Sequence, residues 1–471
     1  MIRLVAAVLH RLELRARMPF RYGIATMTDV PQVIARLTFE LPGGREWGLA
    51  ADLLPPKWFT KDPRQPLDEE VAAMLGVIRG AIRRAADVRA ATPFAFWREV
   101  HAAQSAWAAE AGCPPLLAHF GTSFVERALL HAVCRANGTN LSAALRGDLF
   151  GLDLAALDPE LAGLRPADFL PARPPDRIHS RHTVGLADPI TAAEVPAGER
   201  LTDGLPQTLE EVVAFYGQRH FKLKVNGDAA RDRDRLARMA RVLAAVPGGA
   251  ACSLDGNESF REVAAFRDYF AELRADPALA ALWPTVLYVE QPWHRDVALS
   301  PALGALARDW PERPPIIIDE SDAGLDDLRL ALRLGYAGTS HKNCKGVFKS
   351  VVHAGRLARR RAAGLPAVHS GEDLGSVGPI SPLQDLAAQA ALGITSVERN
   401  GHHYFTGLRQ FPAALQEHAR RHHPDLYVPM DDGVPRLDLR GGELRVGSLN
   451  AAPFGVPGEP DLTAIPAETV V

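Results

Sequence analysis

This sequence predicts an α/β barrel accompanied by a smaller α+β unit, on three observations. After about residue 180, eight short apolar segments alternate with amphipathic helical stretches at roughly thirty residues per unit. Before residue 150 the text passes from strand-like alternation to Ala-rich helices, the pattern of an α+β unit. An open doubly wound sheet is the alternative, but it wants a Gly-rich phosphate turn early in the alternating region, and none occurs.

The elements follow in order. Residues 1–45 alternate in a strand-like way and end in a turn signal, VIARLTFELPGG. From about 67 to 150, EEVAAMLGVIRGAIRRAADVRAA and FVERALLHAVCRA read as helices. Residues 1–150 are therefore assigned to the α+β unit and the Pro-rich 151–180 (LRPADFLPARPPDR) to a connector, with 181–408 forming the barrel. Barrel strands are expected at HTVGL, HFKLKV, CSLDG, VLYVEQP, PIIIDES, GTSHKN, PAVHSG and ITSVE. Residues 409–471, rich in Pro and Gly, are expected to pack back on the N-terminal unit.

Bulk composition narrows the function. The chain has 471 residues, 47% hydrophobic and 23% charged, the profile of a folded soluble protein. A formal net charge of −3 gives no basic field for nucleic acid or an anionic membrane. The four cysteines are spread singly without C-x-x-C, so a disulfide framework is not expected and a reducing cytoplasm is the default compartment. The N-terminus lacks a signal-peptide pattern, and no run of eighteen apolar residues occurs.

In such a barrel, functional side chains stand at the C-terminal ends of the strands. Read in order, those ends carry Lys222 and Lys224, Asp255, Glu290, Asp319 with Glu320, and Lys342. Three consecutive acid-bearing ends supply the hard, all-oxygen donors that Mg²⁺ prefers. A proton α to a carboxylate is weakly acidic, because its removal makes a dianionic enediolate. A dication on the carboxylate offsets that charge, and a base must then take the proton. Paired lysines on one strand face are expected to lower each other's pKa and so keep Lys224 neutral.

FKLKV, SLDGNESF, VEQPW, IIIDES and SHKNCKG, in that order, resemble the enolase superfamily, and more narrowly the muconate lactonizing enzyme subgroup of mandelate racemase/muconate lactonizing enzyme-like proteins. MPFRYGIATMT and ADLLPPKWF resemble the capping-domain loops of the same family. The resemblance implies a modified TIM-type (β/α)7β barrel with an α+β capping domain built from the N-terminal region and the C-terminal segment. It implies Asp255, Glu290 and Asp319 as ligands of Mg²⁺, with Mn²⁺ as a substitute, and Asn257 and Glu320 as residues that orient them. Lys224 becomes the base, Lys222 its tuning partner and a contact to the substrate carboxylate, and Lys342 the acid/base or cation on the opposite side. Arg21, Tyr22 and Trp58 on the capping loops, with His369 and Glu372 after the seventh strand, are the expected substrate contacts. A small carboxylate substrate and a homo-oligomer follow from the same resemblance.

One departure concerns the sixth-strand lysine. KNCKGVFKS carries the single glycine Gly346 where the family has a pair, which makes Lys345 a competitor of Lys342. Glu398, His402 and His403 fall near the barrel mouth. His101, His119 and His131, like Trp47, Trp107 and Trp293, read as packing residues. An isolated K-x-K reads as surface lysines on an edge strand, and each acid alone reads as a helix N-cap; that account must be repeated on three strands running. Racemisation or epimerisation, cycloisomerisation and syn-elimination all fit the expected chemistry. The alternatives are a non-catalytic metal-binding barrel and a lysine Schiff-base lyase or aldolase.

Overall fold

The computed structural model describes residues 1–22 and 24–471, without the side chains of Tyr22, Ala25, Ala305, Ala307 and Asp309. Three long N-terminal strands, β1 (Arg3–Tyr22), β2 (Ala25–Leu41) and β3 (Gly44–Leu53), form an antiparallel sheet. Helices α1 (Leu67–Asp87), α2 (Pro93–Ala111) and α3 (Pro115–Ala136) follow. α3 is buried along nearly its whole length against the sheet and α1. Gly48 permits this approach, since a Cβ there would lie 1.8 Å from the Ala128 carbonyl oxygen.

The barrel strands are β4 (Arg177–Val184), β5 (His220–Lys224), β6 (Ala251–Asp255), β7 (Val286–Glu290), β8 (Ile316–Ile318), β9 (Gly338–His341), β10 (Val368–Gly371) and β11 (Ser396–Glu398). Each pairs in parallel with the next, and β11 pairs with β4, so the sheet closes on itself. All eight expected segments are present, and β4 begins at Arg177. Closure removes exposed edges, and the apolar strand interiors pack against surrounding helices.

The C-terminal residues touch both parts. Strands β12 (Tyr427–Pro429) and β13 (Pro435–Leu437) make a small hairpin, and β14 (Glu443–Arg445) lies antiparallel to β4. The last strand, β15 (Ala467–Thr469), adds to β1 with Leu9 opposite Glu468. The fold is thus a closed parallel barrel joined to an antiparallel sheet with helices. One apolar core lies between β4–β8 and their helices. A second runs from the N-terminal sheet through α3 into the helices Val347–Ala362 and Ser381–Ala391, fixing the sheet to the barrel.

Glu126 on α3 marks that junction. Its Oε1 accepts from the Phe348 N–H at 2.7 Å, at the start of the helix after β9. Burial pushes its carboxyl up to about 7, against the downward pull of the Phe348 and Val347 N–H groups and of Arg127. A folded-state pKa above the unfolded value means stability is complete below about 4.5 and falls as pH rises through 7. Glu126→Gln is therefore expected to flatten the fall in melting temperature between pH 5 and pH 8; an unchanged slope in thermal melts would contradict this assignment.

Candidate active site

Register brings the charged strand ends together. Lys224 on β5 pairs with Asp255 on β6, and Asp255 with Glu290 on β7, so three charged side chains stand abreast. Asp319 follows β8 and Lys342 follows β9. β5 and β9 are four strands apart in a closed ring of eight, so Lys224 and Lys342 project from opposite walls. Both line one pocket of about 710 Å³, open to solvent, together with Asp255, Asp319, Glu372 and Glu398.

The site is a lattice of buried opposite charges. Lys222 Nζ donates to Glu290 Oε1 at 2.7 Å, Glu398 Oε2 at 2.8 Å and Glu372 Oε2 at 3.2 Å, and lies 3.1 Å from Asp255 Oδ2. Lys224 Nζ donates to Asp255 Oδ2 at 2.8 Å and Asn257 Oδ1 at 2.9 Å. Lys342 Nζ donates to both Asp319 oxygens at 2.7 Å and to Glu372 Oε2 at 2.6 Å. Arg181 stands 3.6 Å from Glu372 Oε1, and Thr183 hydrogen-bonds Glu398.

These contacts set the protonation states. Burial alone would lower the Lys224 ammonium, and so would the neighbouring Lys222. Asp255 and Glu398 outweigh both and leave it above the ordinary lysine range. The depressed Lys224 expected from the K-x-K pair is therefore corrected: the repulsion is present, but the acids on adjoining strands exceed it. Lys342 is also held well above its usual value, Asp319 and Glu372 overcoming the effect of burial. Glu290 moves the other way: burial and Glu372 push it well up despite Lys222. Glu320, beside the pocket, is raised to about 7 by burial and by Asp319 and Glu258.

The loop after β3 covers the mouth. Trp58 places its ring centre 5.0 Å from Lys342 Nζ. Arg295 donates to the Trp58 and Phe59 carbonyl oxygens at 3.0 and 2.9 Å while forking onto Glu258 at 2.8 and 2.9 Å. Lys61 Nζ meets Glu258 Oε2 at 3.0 Å and the Asn257 carbonyl oxygen at 2.8 Å. Lys57, Lys61, Asn257 and Glu258 all have φ between 50° and 61°, so both sides of this latch hold strained backbone.

Most expected site residues converge. Lys222, Lys224, Asp255, Asp319 and Lys342 do, as do Asn257, Glu320, Trp58 and Glu372. Glu290 lies just beneath, its Oε1 on Lys222. Lys345 approaches Asp319 from behind, with Nζ 2.7 Å from Oδ1 and 3.0 Å from Ser340 Oγ, and it does not line the pocket. His369 is corrected: it opens on a recess at the other end of the barrel with Val368 and Ser396, because strand alternation turns it away from Glu372's side. Arg21 is likewise exposed and outside the pocket lining; Phe20 and Met27 on the same hairpin line it instead. The Tyr22 side chain lies outside the described residues. His402 and His403 are buried beside His182 and do not line the pocket. The depth of Glu398 in the site was legible only as an acid at the end of the eighth strand.

The donor set fits a hard dication. Carboxylate oxygens of Glu290, Asp319 and Glu372 lie within 4.8 Å of one another, and Glu290 Oε2 is buried without a hydrogen-bond partner among the described residues. Glu372 thus stands in this grouping where the sequence reading had put Asp255; Asp255 is next along the rim, and Lys222 touches both.

Fold and site together define a barrel-and-cap protein with a buried acid–lysine centre. The fold is that of mandelate racemase/muconate lactonizing proteins. A protein so described from Herpetosiphon aurantiacus matches over 96% of this chain and 98% of its own, at 17% identity and a TM-score of 0.59. A dipeptide epimerase from Enterococcus faecalis V583, complexed with Mg and L-Leu-L-Tyr, matches over 97% and 100% at 15% identity and a TM-score of 0.60. An N-succinyl Arg/Lys racemase from Bacillus cereus ATCC 14579 matches over 95% and 97% at 14% identity and a TM-score of 0.56. By sequence, no family model and no curated protein matches.

Two outcomes test this geometry. In calorimetric titrations with Mg²⁺, Glu290→Gln and Asp319→Asn should each lower affinity by roughly tenfold or more, and wild-type affinity in both would contradict the site. The losses in Asp255→Asn and Glu372→Gln then rank the third ligand. In hydrogen-exchange experiments, Arg295→Ala should speed amide exchange over residues 57–61 by roughly tenfold or more, since both carbonyl tethers go. Unchanged protection would show that Arg295 does not hold the loop.

Proposed function

We propose that the protein is an Mg²⁺-dependent isomerase of the enolase superfamily that inverts the carbon α to a carboxylate by moving a proton from one face to the other. One observation carries the reading: Lys224 and Lys342 line a single pocket from opposite walls of the barrel, with the acids between them. Glu290 and Asp319, with Asp255 or Glu372, would hold the metal. When bound, the ion supplies positive charge against the substrate carboxylate and competes with the lysines for their acid partners.

The residues of the chain then divide the work. Lys222 faces the substrate carboxylate from the β5 side. Lys224, held protonated by Asp255 and Glu398, would act as base only after its acid partners are drawn to metal and substrate and its proton is released. It would then take the α-proton from one face while the Lys342 ammonium returns a proton to the other, and the reverse reaction would exchange the roles. Asp319 and Glu372 keep Lys342 protonated, so a proton is present there to be returned once those acids are drawn to substrate and metal. Trp58, Phe20, Met27 and Leu374 provide apolar walls that exclude water and receive the substrate's remaining portion. Glu320 and Asn257 border the acids and orient them. A Schiff-base lyase fits less well, because the carboxylates gathered around Glu290 and Asp319 would have no role in it.

The test is α-proton exchange in D₂O, followed by NMR over a panel of N-acylated and free amino acids, dipeptides and hydroxy acids with Mg²⁺. Lys224→Ala and Lys342→Ala should each lose about 10²–10⁴-fold of the exchange, each on the opposite enantiomer. Exchange surviving both substitutions would overturn the assignment, and loss on one enantiomer alone for both would indicate a one-base elimination or cycloisomerisation.

A further inference from the structure

A second recess lies on the outer face of the barrel. It is bounded by the helix Asp327–Leu334, the later turns of the helix Val347–Ala362 and the turn Pro159–Leu161, and it encloses about 760 Å³ open to solvent. A helix that follows a barrel strand runs back toward the opposite end, so the final turns of Val347–Ala362 stand far from the mouth that holds Lys224 and Lys342.

Five arginines line this recess: Arg329, Arg333, Arg356, Arg359 and Arg360, with Glu160 as the acid among the lining residues. Asp326 pairs with Arg329 at 2.7 Å, Asp158 pairs with Arg356, and Glu160 stands 3.8 Å from Arg333. Three acids against five guanidiniums leave an excess of two positive charges. A helix C-terminus accounts for basic residues in its own last turn, here Arg359 and Arg360. It does not account for Arg329 and Arg333, which come from the neighbouring helix.

Arg356 fixes the wall of the recess: it is 5% exposed, its Nε donates to Asp158 and its Nη1 to the Leu325 carbonyl oxygen at 3.4 Å, which holds one guanidinium in place beside the more exposed ones. Planar guanidiniums arranged around a concavity match the tetrahedral oxygens of a phosphate, which accept several charge-assisted hydrogen bonds at once.

We propose that this recess binds a phosphate group, free or carried on a small metabolite. Leu161, Leu332 and Leu365 give one side of it an apolar surface, and Leu365 is 48% exposed, so the organic portion of a phosphorylated molecule has a place to pack.

The experiment is calorimetric titration of the full chain with orthophosphate, pyrophosphate and ADP at constant ionic strength, with sodium chloride as the control. Saturable binding at one site is expected. Arg333→Ala/Arg360→Ala should weaken it at least tenfold, and Lys224→Ala should leave it unchanged. If the double variant fails to fold by circular dichroism, Arg329→Gln/Arg333→Gln at the more exposed positions makes the same test. ADP binding tighter than pyrophosphate assigns the recess to a phosphorylated metabolite, and equal or weaker ADP binding assigns it to free phosphate. Absence of saturable binding would overturn the proposal. So would binding that Lys224→Ala abolishes while the arginine variants retain it.

Discussion

Charge compensation at buried positions governs the centre of this protein. Asp255, Glu290, Asp319, Glu372 and Glu398 meet Lys222, Lys224, Lys342, Lys345 and Arg181, every one of them nine-tenths or more buried. Ionised groups at that depth are tolerated only when each has a partner at hydrogen-bond range, and removing one partner commonly costs about 3–5 kcal/mol. The eight-strand ring meets this demand by setting acids and bases in register on adjacent strands. Glu290 is the member left short: one oxygen is bonded to Lys222, the other is buried without a hydrogen-bond partner among the described residues, and its carboxyl is pushed well up. A dication would remedy that deficit, and metal affinity would then depend on the same balance that holds the strands' ends together.

The balance also explains why the lysines are poised rather than free. Each ammonium is held by carboxylates that a metal and a substrate carboxylate would engage, so binding and proton transfer draw on one set of contacts. The N-terminal sheet contributes by closing the mouth. Arg295, after β7, donates to the Trp58 and Phe59 carbonyl oxygens, and Glu258, after β6, accepts from Arg295 and holds it there. Loop position is thereby coupled to strand ends that also carry Asp255 and Glu290. Specificity would then reside in Phe20 and Met27 from the sheet and Trp58 from the loop after β3, while the chemistry would reside in the barrel.

The barrel was legible because its strands are short apolar runs that end in a charge, and a charge at that point can only face the mouth. FKLK, SLD, YVE and IIID each announce both a strand and a site residue. Side-chain direction in loops and short hairpins was less legible. Arg21 and Phe20 are neighbours, and only the paired backbone of β1 and β2 decides which one faces the pocket. His369 was expected to touch the substrate, but alternation along β10 turns it away from the side that Glu372, just past the strand, takes. Most instructive is Lys224. Sequence spacing revealed its like-charged neighbour two residues away, while the acids that outweigh that neighbour come from strands 31 and 174 residues further along the chain. Long-range electrostatics of that kind is set by closure of the sheet and has no local signature.

The central claim is that a hard dication and a carboxylate are gathered between two amines on opposing walls. The most direct measurement is a crystal structure grown with Mg²⁺ and a bound carboxylate inhibitor. The account predicts an ion ligated by Glu290 and Asp319, with the inhibitor's α-carbon flanked by Lys224 Nζ on one side and Lys342 Nζ on the other. An ion held elsewhere, or both amines on one side of the inhibitor, would contradict it.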